Sequence, residues 1–201
     1  MIKVNTHRFF PVPVFEFKIE NSNKLNEELE KYIYELRDKN PDGIKKSNAG
    51  GWHSPMFKIG ENPILVKFLN QIRDYLKEIM SKELGWKYDL NKIKIDGMWS
   101  IINKKNSFNI KHNHPNCYLS SAYYVKAKKN SGCINFFDPK EQKNFRYPAI
   151  EKITELSAQV TKFEPEEGKL FIFPSYLYHS VDENLSEEDR IVISFNIDID
   201  K

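Results

Sequence analysis

His112-Asn113-His114-Pro115, followed by the apolar run that carries Tyr123-Tyr124, is the most informative stretch of this chain. Side chains alternate along a β-strand, so His112 and His114 face one side and Asn113 faces the other. A third histidine, His179, lies far downstream in the segment Phe173-Pro174-Ser175-Tyr176-Leu177-Tyr178-His179-Ser180-Val181. Neutral imidazole is the commonest metal ligand, so the three histidines could close a three-point metal site. Because a His-x-His pair also arises by chance, the flanking sequence must show whether this pair belongs to a metal site.

Length and composition are typical of a soluble globular protein. The 201 residues are 40% hydrophobic and 29% charged, which favours a single domain over residues 1–201 with a full core. The net charge is +3, and its basic residues are interleaved with acidic ones, so no nucleic-acid-binding stripe is indicated. No run of about 20 apolar residues predicts a membrane span, and the first residues lack the features of a signal peptide. Two cysteines are too few for a disulfide scaffold, and we expect a reduced, cytoplasmic protein.

The first part of the chain predicts a strand and a helix. Residues 15–19 alternate apolar and polar after two prolines, as in an edge strand. Such an exposed edge could pair with a second copy in a homodimer. Apolar residues at helical spacing from Leu25 to Leu36 then predict a helix, with Ser22 or Asn23 as its N-cap.

An irregular segment follows, and a second helix comes after it. Residues 47–54, Ser-Asn-Ala-Gly-Gly-Trp-His-Ser, place two glycines beside a tryptophan and a histidine. Either Trp52 pins this loop to the core or the loop overhangs the site, since binding residues are over-represented on loops. Nothing in the sequence indicates that His53 is a metal ligand. The second helix begins at the N-cap Asn62 with a proline at its first position, and Gly85 stops it.

From residue 92 onward the hydrophobic period is two, and glycine, proline, asparagine and aspartate break the sequence into short runs. This pattern predicts about eight strands in a sandwich or barrel. We predict an α+β, mainly β fold in which a jelly roll of residues 92–201 is backed by the strand and two helices of residues 1–91. The predicted strands are 93–95 with 98–102, 108–112, 119–125, 132–137, 156–163, 169–173 and 190–199.

The last predicted strand carries a cation on its inward face. Alternation puts Arg190, Val192, Ser194 and Asn196 on one side of this strand. Because an unpaired buried charge is costly, an inward arginine needs a counter-ion. A carboxylate that the guanidinium binds bidentately would be a suitable one.

Several further motifs accompany the histidines and the arginine. They are His112-x-His114-Pro115, Ser121-x-Tyr123-Tyr124-Val125, Gly132-x-x-x-Phe136-x-Asp138-Pro139, Gly168-x-Leu170-x-x-Phe173-Pro174-Ser175, His179-x-Val181, Arg190 and Ser194-Phe195-Asn196. Together they resemble the 2-oxoglutarate/Fe(II)-dependent dioxygenases, most closely the branch found in bacteria and tailed phages. The resemblance extends to residues 47–54 and so covers most of the chain. It implies a double-stranded β-helix, the cupin-like jelly roll, with Fe(II) as cofactor and 2-oxoglutarate as co-substrate.

The resemblance also implies roles for individual residues. His112 and His179 match metal ligands of the family, and Arg190 matches the basic residue that binds the far carboxylate of 2-oxoglutarate. The implied activity is hydroxylation of a small-molecule or peptide substrate, with 2-oxoglutarate decarboxylated to succinate. Further residues expected at the co-substrate are Tyr124, Asn109, Ser194 and Asn196.

His114 departs from the family pattern, because a carboxylate usually stands at this position beside two histidines. Three interpretations follow. Three histidines bind the metal; or His112 and His179 bind it with His114 beside it; or a carboxylate from elsewhere, with Asp138 as the best candidate, completes the set. We favour the first.

Two other functions are compatible with the same residues. A cupin-like metalloenzyme could use the three histidines without 2-oxoglutarate, and the position of Arg190 argues against this. A non-catalytic jelly-roll binding module would have incidental histidines, and their clustering argues against that.

Overall fold

The computed structural model describes residues 4–87 and 92–199. Within these ranges, two helices precede most of the strands, as the sequence predicts. The helices are α1 (Asn23–Lys39) and α2 (Pro63–Glu78), and the strands are β1 (Phe15–Lys18), β2 (Asn48–Ala49), β3 (Trp52–His53), β4 (Ile93–Asn103), β5 (Phe108–His112), β6 (Leu119–Lys126), β7 (Ile134–Phe137), β8 (Val160–Phe163), β9 (Lys169–Pro174), β10 (His179–Val181) and β11 (Arg190–Ile199).

The strands form two sheets. One sheet has the order β1-β9-β6-β11-β4-β3 and the other the order β2-β5-β10-β7-β8. Neighbouring strands in both sheets are antiparallel. From β4 onward consecutive strands alternate between the sheets, except for β7 and β8, which pair within one sheet, and the chain thus winds as a double-stranded β-helix. The α+β, mainly β class predicted from the sequence is confirmed.

The two helices back the six-stranded sheet. Phe68 of α2 is fully buried, and its ring packs against those of Tyr123 and Phe195, with centroids 4.8 and 6.1 Å apart. The Tyr123 hydroxyl donates to Asn26 Oδ1 of α1 at 2.6 Å. As predicted, α2 begins at the N-cap Asn62, whose side chain accepts from a backbone N–H of the first turn. A separate apolar cluster lies between the sheets and contains Ala122, Tyr124, Ile134, Phe136, Phe171, Phe173 and Leu177.

Some predicted elements differ in extent. The strand predicted over 156–163 begins only at Val160, because hydrogen bonds from Ser157 and Ala158 to Thr154 form a turn before it. Ser22 occupies the N-cap position of α1 but makes no capping hydrogen bond. The runs 93–95 and 98–102 are one continuous strand. In the part of the chain that the structure describes, every helix is too short or too polar to cross a membrane.

Candidate metal and co-substrate site

The three histidines of the sequence motifs meet between the two sheets. His112 at the end of β5 lies directly opposite His179 at the start of β10, and His114 follows two residues beyond β5. The ring centroids of His112 and His179 are 4.2 Å apart, and His114 lies 5.2 and 5.1 Å from them. One ring nitrogen of each histidine lies within 4.8 Å of the other two. Among residues 4–87 and 92–199, no other group of three metal-ligating side chains is this close.

Hydrogen bonds fix which nitrogen each ring presents. His112 and His179 place Nδ1 2.7 and 3.0 Å from the backbone carbonyl oxygen two residues earlier in the chain. His114 places Nδ1 2.9 Å from the side-chain oxygen of Asn196. A carbonyl oxygen only accepts, so each Nδ1 carries the proton and each Nε2 keeps its lone pair. This is the usual arrangement of metal-binding histidines, whose second nitrogen donates to an oxygen.

Burial keeps these rings neutral. Desolvation, with a smaller contribution from the neighbouring rings, lowers the pKa of His112 to about 4 and that of His179 to about 3. Desolvation also lowers the pKa of His114, while the hydrogen bond that His114 donates to Asn196 acts in the opposite direction. Only neutral imidazole can bind a metal, so the cluster is in its ligand form at neutral pH. The all-nitrogen donor set fits iron, as well as zinc, nickel or copper.

Arg190 supplies a buried positive charge in the same region. Its side chain is 1% exposed, and Nη1 donates to the backbone oxygens of Ser131, Gly132 (3.1 Å) and Asp182 (3.3 Å). These carbonyls orient the guanidinium without neutralising it, because no carboxylate of the described residues forms an ion pair with Arg190. A buried arginine of this kind is suited to an anionic ligand. The ligand could bind the other N–H groups of the guanidinium while Nη1 keeps its hydrogen bonds to the backbone.

A glycine and a tyrosine complete this position. Gly132 has φ +90, and a Cβ there would lie 2.7 Å from Arg190 Nη1 and 2.3 Å from the Asp182 oxygen, so only glycine lets the guanidinium reach its carbonyls. Tyr124 is 1% exposed. Burial raises the pKa of its hydroxyl, and the charge of Arg190 acts in the opposite direction. The hydroxyl is therefore a neutral donor close to the guanidinium.

One cavity of about 540 Å³ joins the histidines to Arg190. Apart from Asp138, every residue that the sequence places at the site contributes to its wall. Asn109 does so from within a network, since its amide accepts from Asn103 at 2.9 Å and donates to Ser47 at 3.2 Å. Asn196 bonds to His114 and also accepts from Ser120 at 3.0 Å, so it orients a ligand instead of facing the co-substrate alone. The predicted residues in the wall are Asn109, His112, His114, Tyr124, His179, Arg190, Ser194 and Asn196.

Asp138 stands apart from this cavity. Its carboxylate forms an ion pair with Lys143 at 2.6 Å and accepts from the backbone of Lys140, and it lines a different cavity. The interpretation in which Asp138 completes the metal site is therefore not supported by the geometry.

The 44–56 segment supplies residues that the sequence did not assign to the site. Trp52 pins it, because the buried indole donates to the Asn40 oxygen at 2.8 Å. The segment also overhangs the cavity, to which Lys46 and His53 contribute. Both interpretations of the loop thus hold at once. In the sequence, the two glycines beside a histidine were the only sign that this segment could belong to the site. A loop has no regular period, so its sequence does not show which side chains face the cavity.

Comparison with known proteins agrees with this site. A family model described as "Putative 2OG-Fe(II) oxygenase" matches residues 97–196, about half of the chain. The match includes all three histidines and Arg190. No curated protein matches the chain by sequence.

Solved structures share the fold at low sequence identity. A prolyl-4-hydroxylase from Pseudomonas putida is 12% identical, with 94% of each chain covered and a TM-score of 0.66. A viral collagen prolyl hydroxylase from Paramecium bursaria Chlorella virus-1, in complex with 2-oxoglutarate, is 14% identical over 92% of this chain and 94% of that one, with a TM-score of 0.60. HygX from Streptomyces hygroscopicus, with nickel and 2-oxoglutarate bound, is 10% identical over 94% of this chain and 83% of that one, with a TM-score of 0.64.

The fold and the site define a metal-dependent oxygenase of the double-stranded β-helix class. The chain belongs to the superfamily of 2-oxoglutarate/Fe(II)-dependent oxygenases. The cofactor and co-substrate of this superfamily are Fe(II) and 2-oxoglutarate, and the three neutral imidazoles and the uncompensated Arg190 fit them.

Proposed function

We propose that the chain is an Fe(II)- and 2-oxoglutarate-dependent dioxygenase that hydroxylates a small-molecule or peptide substrate. The observation that carries this proposal is the joint placement of three neutral histidines and a buried arginine on one cavity wall. A cupin-type metal site needs only the histidines. An arginine that carries its full charge into the same cavity calls for an anionic co-substrate as well.

The residues divide the work between metal and co-substrate. His112, His114 and His179 hold the metal through Nε2, and Arg190 with the Tyr124 hydroxyl binds the far carboxylate of 2-oxoglutarate. Iron with bound 2-oxoglutarate supplies O₂ activation, in which the co-substrate becomes succinate and CO₂. The apolar part of the wall, which includes Trp99, Ile134 and Val192, keeps water away from the reacting groups.

The substrate, the cell compartment and the assembly of the protein are the subject of further proposals. One solved prolyl hydroxylase binds a peptide fragment and one HygX structure binds hygromycin B, so this fold accepts both sizes of substrate. We further propose a single domain in the reducing cytoplasm, where Cys117 and Cys133 stay free thiols as in the structure. A homodimer through β1 is proposed because this strand lies at the edge of its sheet.

The test adds Fe(II) and 2-oxoglutarate without O₂ and records the visible metal-to-ligand charge-transfer band, then admits O₂ and measures succinate. We expect a band and succinate from the native protein. We expect neither from His112→Ala or His179→Ala, which should also lose bound iron. Near-normal iron in either variant would contradict the ligand assignment.

The three-histidine donor set would also suit a cupin-type enzyme that does not use 2-oxoglutarate. A variant of Arg190 distinguishes the two functions. Arg190→Gln removes the charge but keeps hydrogen-bond donors for the backbone carbonyls. We expect an unchanged iron content and 2-oxoglutarate binding weakened by ~100-fold, the scale of one charge-assisted bidentate contact. Iron binding without a charge-transfer band in the native protein would instead favour the cupin-type enzyme.

A further inference from the structure

Residues 44–56 form one part of the cavity wall. This part carries two polar side chains that have no role in binding the metal or the co-substrate. β2 pairs with β5 of one sheet, and β3 pairs with β4 of the other. The segment therefore crosses from sheet to sheet at the side of the cavity, and it is held at both ends. Lys46 and His53 both contribute to the cavity wall.

His53 has a fixed orientation. It is 5% exposed, its Nδ1 lies 2.7 Å from the Ser54 carbonyl oxygen, and its ring stacks on Trp99 at 5.9 Å with an 8° interplanar angle. Trp99 in turn packs against His114, with centroids 5.4 Å apart. Since Nδ1 carries the proton, Nε2 is an acceptor, and it has no hydrogen-bond partner among the described residues. It can accept one bond from an N–H or O–H in the cavity.

Lys46 brings a positive charge to the same wall. Lys46 and His53 line the same cavity. Burial lowers the pKa of His53, and the charge of Lys46 acts in the same direction. Lys46 forms no ion pair with a carboxylate of the described residues. Its side chain is exposed, so it can reach a ligand at the cavity mouth without a desolvation cost.

The charge balance of the cavity leaves this lysine without a counter-ion. Lys46 and Arg190 are its only formally charged residues within the described ranges, and no aspartate or glutamate lines it there. The three imidazoles are neutral, so the two carboxylates of 2-oxoglutarate balance a divalent metal. Arg190 binds the far carboxylate of that co-substrate, so Lys46 is the charged side chain left to face the remaining space. The net charge of the loaded cavity stays positive, and this favours a negatively charged substrate.

We propose that Lys46 and His53 bind the primary substrate as a pair: Lys46 binds a carboxylate, and His53 accepts a hydrogen bond from an N–H or O–H beside it. This inference rests on the proposed function and names its substrate class, an acid such as an N-acylated amino acid. One ammonium matches one carboxylate charge, whereas a phosphate dianion would need further donors.

The test uses zinc-loaded protein with saturating 2-oxoglutarate and titrates N-acetylglycine and its neutral analogue N-acetylglycinamide, with binding followed by ligand-observed NMR. We expect the acid to bind ~10-fold more tightly than the amide, as one charge-assisted contact provides. Lys46→Gln should abolish this preference. Lys45→Gln is the matched control, because Lys45 directly precedes Lys46, is also exposed and does not line the cavity.

His53→Phe tests the second contact while it keeps a ring against Trp99. Native protein should bind N-acetylglycine more tightly than N-acetylsarcosine, which lacks the N–H, and the variant should bind both acids alike. Equal affinity of native protein for acid and amide, no binding of the acid, or an equal loss in Lys45→Gln would overturn the proposal. The charge-transfer band of the iron-loaded protein is recorded in parallel. Its absence would refute the proposed function, whereas a band without acid preference refutes only the Lys46–His53 pair.

Discussion

Each histidine of the cluster is oriented by an oxygen, and the source of that oxygen differs. Ile110 and Leu177 provide backbone carbonyls for His112 and His179, which no substitution removes. His114 depends on the side chain of Asn196. Because His114 lies beyond the end of β5, it also lacks a strand to restrain its ring. Asn196 is therefore the most sensitive single support of the metal site.

Asn196→Ala should lower the affinity for Fe(II) by ~10- to 100-fold, since this is the usual effect of removing an oxygen that orients a metal-binding histidine. Asn196→Asp keeps an acceptor and should retain most of the affinity. Metal titration of each variant measures the effect, and thermal unfolding checks the fold. Ser194→Ala is the control, because Ser194 lies on the same face of β11 but contacts none of the histidines through a hydrogen bond. If Asn196→Ala binds iron as tightly as Ser194→Ala, Asn196 does not position His114.

Among the elements, the crossing formed by β2 and β3 depends on a close approach at Gly51. A Cβ on Gly51 would lie 2.5 Å from Asn103 Oδ1 and 2.7 Å from the Ile102 backbone oxygen. Asn103 in turn donates to Asn109, so contacts through Asn103 link the crossing and β4 to the cavity wall. The glycine is needed here for space against β4.

Gly51→Ala should destabilise the protein by about 1–3 kcal/mol, the usual cost of forcing a methyl group into a packed site. Urea denaturation followed by circular dichroism measures this free energy of unfolding. Gly60→Ala is the matched control, because a Cβ there meets nothing within 4 Å, and its stability should be unchanged. A Gly51→Ala protein as stable as Gly60→Ala would show that β3 shifts away from β4 without cost.

The elements also show what the sequence could predict. The position of α2 follows from the sequence because it buries one face and so shows a clear helical period. β6 and β11 are buried on most of both faces, and their long apolar runs mark them as strands. β2 and β3 have two residues each, which is too few for a period, so the sequence of the irregular segment 47–54 does not reveal that it joins both sheets. The histidines and Arg190 were found through motif spacing. Lys46 and His53 were not, because only the folded chain brings them to the cavity.

At the scale of the whole molecule, the site gains its properties from its place between the sheets. The helices cover the outer face of the six-stranded sheet, and the inner face is left for the cavity and the apolar cluster beside it. Burial there keeps the three imidazoles neutral. It also encloses the Arg190 guanidinium, which has no ion pair with a carboxylate of the described residues. Metal and co-substrate relieve both conditions, so the protein without them should be less stable than the loaded form.

This burial predicts how the stability of the metal-free protein depends on pH. The folded-state pKa values of His112 and His179, about 4 and about 3, lie below the ordinary histidine value of 6.5, which applies to the unfolded chain. Between pH 4 and 6.5 the unfolded chain thus binds protons that the folded protein does not, so the free energy of unfolding falls as the pH decreases. Above pH 6.5 this contribution is complete and constant.

From pH 7.5 to 5.5, the two histidines should cost about 1.4 kcal/mol each, and the Tm of the metal-free protein should fall by roughly 5–10 °C. His179→Gln removes one of these two groups and should reduce this fall, even where the variant is less stable at both pH values; His112, His114 and His53, whose pKa values are also lowered, account for the remainder. His7→Gln is the control, since His7 is exposed and lies outside the cluster, and its Tm should follow that of the native protein. An equal Tm at both pH values in the native protein would mean that the histidines take up protons while folded, and thus that the site opens to water in the absence of metal.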